Sequence, residues 1–223
     1  MKHGKRTELG VDFILERIRK GDLQPGDRLP AEPDLAEELG LSRATLRQIL
    51  KTLQTAGIIE ARPRAGTVLK RPDPSAIAPF FFAHLDLADV SLRETAEARV
   101  SFEPGIAALA ARYRKKSDLE RIERTLDAAR TSGTDWDAVV AGEREFHSGI
   151  VAASHNLILQ SFNRILSLYF DRVSRPEQGN VSDDEADRVL TSHSRIYEAV
   201  KNGSALQAEA LMKKHLERIA KHG

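Results

Sequence analysis

Residues 21–67 read GDLQPGDRLPAEPDLAEELGLSRATLRQILKTLQTAGIIEARPRAGT and form the most informative stretch of the chain. Apolar spacing predicts two short amphipathic helices, near residues 31–39 and 43–56. Gly40 suits the left-handed residue that follows a helix end, and Ser42 is a typical N-cap. A short apolar strand and an Arg-rich hairpin complete the stretch. This order is typical of a winged helix-turn-helix and predicts duplex DNA as a partner.

The start of the second helix and the tip of the hairpin carry the candidate DNA contacts. A recognition helix presents its N-terminal residues to base edges, where Arg pairs with guanine and Thr contacts thymine. The basic hairpin tip can reach an adjacent groove. The predicted DNA-binding residues are Ser42, Arg43, Thr45, Arg47, Arg62, Arg64 and Gly66. The alternative makes Ser42 only a helix cap and the arginines only solvated charges.

Length, charge and composition limit the class of protein. A chain of 223 residues suits two small domains, and the lack of cysteine excludes disulfides and thiolate chemistry. The net charge of +1 combines about +4 over residues 1–71 with −3 over the remainder, which suits DNA binding by the N-terminal part. No apolar run approaches the ~20 residues of a membrane span, and no signal peptide is recognisable. We therefore expect a cytoplasmic protein without a membrane partner.

The domain organisation follows from the pattern of helices and breakers. We predict a winged helix-turn-helix domain over residues 1–71, a linker and connecting helix over 72–90, and an all-α antiparallel bundle over 91–223. The fold class is therefore mainly α with a small β-hairpin wing. Helices are expected near residues 75–85, 92–102, 104–114, 118–131, 136–154, 157–175, 184–202 and 204–221. The break at 103 reflects Pro104, and Ser91 and Ser117 are expected to begin capping boxes.

A carboxylate and three histidines form a candidate metal site in the bundle. Glu143 and His147 are four residues apart and share a helix face, while His193 and His215 lie on later helices. Such a set suits a divalent transition metal, either zinc or nickel. The alternative is an exposed Glu–His pair with unrelated histidines. A catalytic use finds no support, because the chain has no HExxH motif, phosphate loop or nucleophile elbow.

Residues 25–67, PGDRLPAEPDLAEELGLSRATLRQILKTLQTAGIIEARPRAGT, resemble the DNA-binding domain of the GntR transcription regulators. The resemblance implies that Arg43, Thr45 and Arg47 contact the operator, with Ser42 on the backbone and Gly66 at the wing tip. Pro33 stands where the family usually has Arg or a similar polar residue. One DNA contact is therefore expected to be missing.

Three later segments resemble the FCD ligand-binding domain of the FadR branch of that family. They read EARVSFEPGIAALAARYR, EREFHSGIVAASHN and HSRIYEAVKNGSALQAEALMKKHL. The resemblance places the metal ligands at Glu143, His147, His193 and His215, with Glu143 replacing the usual Asp. It also implies effector contacts by Arg99 and Asn156. For Arg99, a surface ion pair with Glu103 is the alternative.

Together these resemblances imply a ligand-responsive transcription regulator rather than an enzyme. A homodimer would bind a palindromic operator, and a small carboxylate effector, an organic or sugar acid, would bind in the metal-containing bundle. Repression is the expected default. The alternatives are a regulator for which the metal ion itself is the signal, and a metal-dependent hydrolase or lyase.

Overall fold

The computed structural model describes residues 3–71, 73–131, 135–173 and 182–222. The chain divides into two compact units, with the boundary between Phe81 and Phe82. That boundary lies inside the segment predicted to connect the domains, of which residue 72 is outside the described residues. Within the described part, no helix is both long and apolar enough to cross a membrane.

The N-terminal unit is a three-helix fold with a β-hairpin wing. It contains α1 (His3–Lys20), α2 (Glu32–Glu38), α3 (Arg43–Thr55), β1 (Ile59–Arg62) and β2 (Gly66–Leu69). The strands pair antiparallel, and Arg28 adds a bridge to Val68 on the other side of β2. The buried core contains Ile14, Leu35, Leu46, Ile49, Leu53 and Ile59. The predicted winged helix-turn-helix is confirmed.

The C-terminal unit is an all-α bundle, as predicted. A 3-10 turn (Pro74–Ile77) at the end of the N-terminal unit leads into α4 (Ala78–Leu87), which contains the boundary between the two units. The helices that follow are α5 (Leu92–Tyr113), α6 (Lys116–Thr131), α7 (Trp136–Ala153), α8 (Leu157–Val173), α9 (Asp183–Lys201) and α10 (Ala205–His222). Residues 174 and 175, which were expected to extend α8, lie outside the described residues.

Two local predictions about helix ends are corrected by the structure. Pro104 does not divide the helix, because α5 runs through it with Pro104 buried. Packing of the alanine-rich face of α5 against α10 outweighs the backbone hydrogen bond that proline removes. The capping box predicted at Ser117 is also wrong. Asp118 instead accepts from the Lys115 amide at 2.8 Å, and α6 begins two residues earlier than predicted. The capping box at Ser91 is confirmed.

Candidate nucleic-acid interface and metal centre

The first turn of α3 is fixed by two hydroxyl groups. Ser42 is the N-cap, and its Oγ accepts from the Thr45 amide at 3.1 Å. The two side-chain hydroxyls are also 2.8 Å apart, and Thr45 is only 3 % exposed. The structure therefore gives Thr45 a capping and packing role, and the operator contact expected of it stays a prediction.

The two arginines of this helix are at the surface. Arg43 and Arg47 are both exposed on α3. Arg47 Nε donates to Glu32 Oε2 on α2 at 3.1 Å, with both side chains well exposed. An exposed ion pair of this kind contributes only about 0–1 kcal/mol. Arg47 can therefore exchange Glu32 for a DNA partner at little cost.

The wing tip carries basic side chains around a required glycine. Arg62 Nε donates to Glu60 Oε1 at 2.5 Å, and Arg64 adopts a left-handed backbone with φ of 64°. Gly66 has φ of 78°, and a Cβ atom there would lie 3.0 Å from Arg28 Nε. Gly66 thus allows both the turn and the approach of Arg28.

Arg28 is a wing residue that the sequence analysis missed. Its bridge to Val68 places it beside β2, where its exposed guanidinium adds positive charge next to Gly66. The only sequence signal was a basic residue two positions after the turn at Pro25 and Gly26. A strand predicted at Arg28 would have suggested that this residue lies beside the wing.

In the bundle, the structure brings together all four predicted metal ligands. Glu143 and His147 project from α7, His193 from α9 and His215 from α10. The three imidazoles are buried, Glu143 is partly buried, and one ligand atom from each residue lies within 4.8 Å of all the others. The Glu–His pair is therefore not a surface pair.

Three distances from His215 within this cluster are close to the spacing of ligands around an ion. His215 Nε2 lies 3.2 Å from His147 Nε2, 3.3 Å from His193 Nε2 and 3.3 Å from Glu143 Oε1. Tetrahedral Zn²⁺ with bonds near 2.1 Å would separate its ligand atoms by about 3.4 Å. One imidazole N–H could not satisfy three such neighbours at once. The donor set therefore fits a divalent metal.

Glu143 gives a second indication that the cluster fits a divalent metal. Its Oε2 is buried and makes no hydrogen bond within the described residues, although it lies 2.6 Å from His193 Nε2. A buried carboxylate oxygen without a partner is costly, and a cation would satisfy it. Glu143, one methylene longer than the usual Asp, therefore reaches the same centre as the histidines.

Burial and charge set the protonation of the cluster. Burial lowers the pKa of His193 to about 4, so this imidazole is neutral and offers a lone pair. Burial alone would raise the pKa of Glu143, but the surrounding imidazoles hold that pKa well below its usual range. A neutral imidazole beside an ionised carboxylate is the state that metal binding requires.

His147 has a buried carboxylate partner outside the cluster. Its Nδ1 donates to Glu103 Oε2 on α5, and Arg99 Nε donates to Glu103 Oε1 at 2.6 Å. Burial would lower the pKa of His147 and raise that of Glu103. The charge of Glu103 nevertheless raises the pKa of His147 to about 9, and the charges of Arg99 and His147 lower that of Glu103 to about 2.

The Arg99–Glu103 pair exists, but it is not at the surface. Arg99 is 6 % exposed and Glu103 is 2 % exposed, and the Arg99 guanidinium also lies over the Phe170 ring at 4.5 Å. The surface alternative is therefore corrected. The link from Glu103 to His147 was not predicted, and its only sequence signal was a carboxylate within an alanine-rich helix.

Asn156, the other expected effector contact, caps α8. Its Oδ1 accepts from the amides of Ile158 and Leu159 at 3.1 and 3.2 Å. The preceding His155 has φ of 51° and its Nε2 lies 2.7 Å from Asp118 Oδ2. An effector contact by Asn156 stays a prediction.

A cavity opens beside the metal cluster. It has a volume of about 390 Å³ and is lined by Glu143 and His193 together with residues of α6, α7 and α9. Arg130 is the only basic residue among its described lining residues, and Asp183 and Asp187 are acidic. Arg99 and Asn156 are not among those lining residues. The cavity can admit a small polar molecule to the side of the cluster that Glu143 and His193 form.

Comparisons with known proteins match both units. Residues 11–69 match the family described as bacterial regulatory proteins, gntR family, and residues 94–218 match the FCD domain. The HTH-type transcriptional regulator LutR of Bacillus subtilis is 32 % identical over 205 residues, which cover 91 % of this chain and 94 % of LutR.

A second relative and a solved structure also match this chain over most of its length. The putative L-lactate dehydrogenase operon regulatory protein of Escherichia coli is 30 % identical, covering 92 % of this chain and 83 % of that protein. A GntR structure from Streptococcus agalactiae superposes with a TM-score of 0.75 at 24 % identity, covering 97 % of this chain and all of that one. The domains and relatives are transcription regulators, not enzymes. The chain belongs to the GntR family of bacterial regulatory proteins and is a DNA-binding regulator with an FCD domain.

Proposed function

We propose that this chain is a FadR-type repressor whose operator affinity is controlled by a small organic or sugar acid bound at the metal centre. The observation that carries the proposal is the convergence of Glu143 and three buried histidines beside a cavity. The other unit of the same chain is a winged helix-turn-helix. An effector site and a DNA reader in one chain suit a ligand-controlled regulator acting on cytoplasmic DNA.

On DNA, the proposed reading surface is the start of α3 together with the wing. The exposed side chains of Arg43 and Arg47 suit guanine edges in the major groove, and Ser42 suits a phosphate. Arg62 and Arg64 with Gly66 suit an adjacent groove. A homodimer would present two such surfaces to the two halves of a palindromic operator.

Replacing Arg47 with alanine is expected to weaken operator binding by about 5- to 150-fold, because one bidentate guanine contact is worth about 1–3 kcal/mol. The measurement is fluorescence anisotropy with operator DNA selected from a random pool by the wild-type protein, at fixed salt. Arg93→Ala is the matched control, since Arg93 is also an exposed arginine paired with a glutamate, but in the other unit. Equal affinity of the Arg47→Ala protein and the wild type would contradict the proposed docking.

For the effector, the metal ligands and the adjacent cavity form the proposed site. A bound Zn²⁺ or Ni²⁺ would supply a Lewis-acidic position for a carboxylate oxygen. The cavity's Asp183 and Asp187 suit hydroxyl groups, and Arg130 suits a second anionic group. A relative named for an L-lactate dehydrogenase operon makes 2-hydroxy acids the first candidates. Arg99 is proposed to act behind the site, through Glu103, and its direct contact with the effector stays a prediction.

The effector can control DNA binding only if it binds one arrangement of the two domains more tightly than another. A difference of about 1–3 kcal/mol changes operator affinity by roughly 5- to 150-fold. Release of the operator on effector binding would make the protein a repressor.

A thermal-shift screen of small acids tests the effector site. Lactate, other 2-hydroxy acids and sugar acids are each added to chelator-stripped protein and to zinc-reloaded protein. We expect a narrow group of acids to raise the melting temperature only when zinc is present, because ligand binding stabilises the folded state. Stabilisation by acids without zinc would contradict the metal-assisted site.

The second candidate is a regulator for which the ion is the signal, favoured by the closeness of the four ligands to ideal spacing. It predicts that zinc alone changes operator affinity and that no acid has a further effect. The thermal-shift screen and the operator-binding assay together distinguish the acid-responsive regulator from the ion-responsive one.

A further inference from the structure

Glu103 lies behind the metal centre, and both of its carboxylate oxygens are engaged. One accepts from Arg99 Nε at 2.6 Å on the same helix, and the other accepts from His147 Nδ1 on α7. Glu103 and His147 are each 2 % exposed. This carboxylate therefore has no contact with bulk solvent and is held by one arginine and one imidazole.

The contact with Nδ1 decides which nitrogen of His147 can bind a metal. In the neutral form of His147, a hydrogen on Nδ1 directed at Glu103 leaves the lone pair on Nε2, the atom that faces His215 and Glu143. Because Glu103 raises the pKa of His147 to about 9, a metal must displace the Nε2 proton when it binds. His215 differs in this respect, because its Nδ1 is buried without a hydrogen-bond partner within the described residues. The orientation of His147 is thus specified by a carboxylate in a way that His215 is not.

Arg99 in turn fixes the carboxylate. Its Nε donates to Glu103 from one helical turn away, and its guanidinium lies over the Phe170 ring of α8. A planar guanidinium held on two sides places its N–H groups in a fixed direction. Arg99 therefore restricts the rotamers of Glu103, and Glu103 restricts the ring of His147.

We infer that Glu103 is a positioning residue of the metal centre, which makes His147 an Nε2 ligand, and that Arg99 acts on the metal through Glu103. The inference rests on the proposed metal centre and deepens it. Carboxylates that accept from a ligating histidine raise the basicity of the ligand and add negative charge near the ion. Glu103 reaches His147 only because the fold packs α5 beside the cluster, since α5 carries none of the four ligands.

The test is zinc affinity of the full chain carrying Glu103→Gln, measured by competition with a chromophoric chelator. Loss of such a carboxylate typically costs about 10- to 100-fold in metal affinity, and we expect a loss in that range. The visible absorption of bound Co²⁺ is expected to shift as well, because the orientation and basicity of His147 change. A purely structural role would leave that spectrum unchanged.

Glu97→Gln is the matched control. Glu97 lies on the same helix and accepts from Arg93 Nε at 2.8 Å with the same four-residue spacing, but that pair is exposed. Its zinc affinity should equal that of the wild type. Circular dichroism of the metal-free proteins verifies folding, and Glu103→Asp, whose shorter side chain should not reach His147, replaces Glu103→Gln if the latter does not fold.

A double-mutant cycle tests the part assigned to Arg99. Arg99→Lys keeps a positive charge but removes the Nε donor, so it should weaken zinc binding less than Glu103→Gln does. It should have no further effect in the Glu103→Gln background. Additive losses would overturn the assignment of Arg99.

The outcomes separate this inference from the proposed function. A folded Glu103 variant that binds zinc as tightly as the wild type, with an unchanged cobalt spectrum, overturns the inference and leaves the metal centre intact. Failure of the wild type to bind zinc, nickel or cobalt overturns the metal centre and the inference together.

Discussion

A protein carrying both His147→Ala and His193→Ala is expected to retain no zinc. Each change removes one Nε2 ligand from a set of four, and the remaining His215 and Glu143 cannot close a tetrahedral site. Structural zinc sites bind with about 10–16 kcal/mol, so losing half of the ligands should reduce occupancy after desalting from one ion per chain to none. The measurement is zinc content by plasma mass spectrometry after reloading and gel filtration.

His155→Ala controls for the general loss of an imidazole. His155 is bonded to Asp118, and it is not part of the cluster. We expect this variant to retain zinc as the wild type does. Full zinc content in the folded double variant would show that the four residues do not form the metal site.

Phe146→Ala is expected to destabilise the bundle by about 3–5 kcal/mol, the usual cost of removing a buried aromatic ring. Phe146 is fully buried, and its ring stacks on His193 with centroids 3.9 Å apart and planes inclined by 13°. The variant should also bind zinc less tightly, because His193 loses the surface that fixes its ring. Urea denaturation with and without zinc measures both effects.

The matched control is Phe162→Ala, in which the replaced ring is 66 % exposed. Removing an exposed ring should change the free energy of unfolding by about 0.5 kcal/mol or less. Both variants are measured at the same protein concentration. Phe146→Ala would contradict the proposed packing if it unfolded at the same urea concentration as the Phe162→Ala protein.

Local sequence signals predicted the helices and the wing well. Gly40 does adopt a left-handed backbone, Ser42 caps α3, and the buried residues of α3 follow the predicted helical spacing. These features depend on groups a few residues apart, which is why the sequence contains them. The continuous α5 could not be predicted, because the packing that tolerates Pro104 comes from α10, about a hundred residues later.

The candidate site was predicted only in part. Glu143 and His147 share a helix face by spacing alone. His193 and His215 joined the candidate set as histidines on later helices, and the family resemblance placed all four at ligand positions. The local contacts of Thr45 and Asn156 were not predicted. The Thr45 hydroxyl lies against the Ser42 cap, and the Asn156 side chain caps α8. Whether a polar side chain faces solvent or its own backbone depends on the packing around it.

By itself, the sequence indicated two parts of the chain, the DNA-reading motif and the types of candidate metal-ligating residue. Each follows from the order and spacing of residues within single elements. Only the tertiary structure placed ligands from three helices within 4.8 Å of one another and put the Glu103 carboxylate behind His147. Such contacts join residues up to 72 positions apart, and their geometry is fixed by how α5, α7, α9 and α10 pack in the bundle.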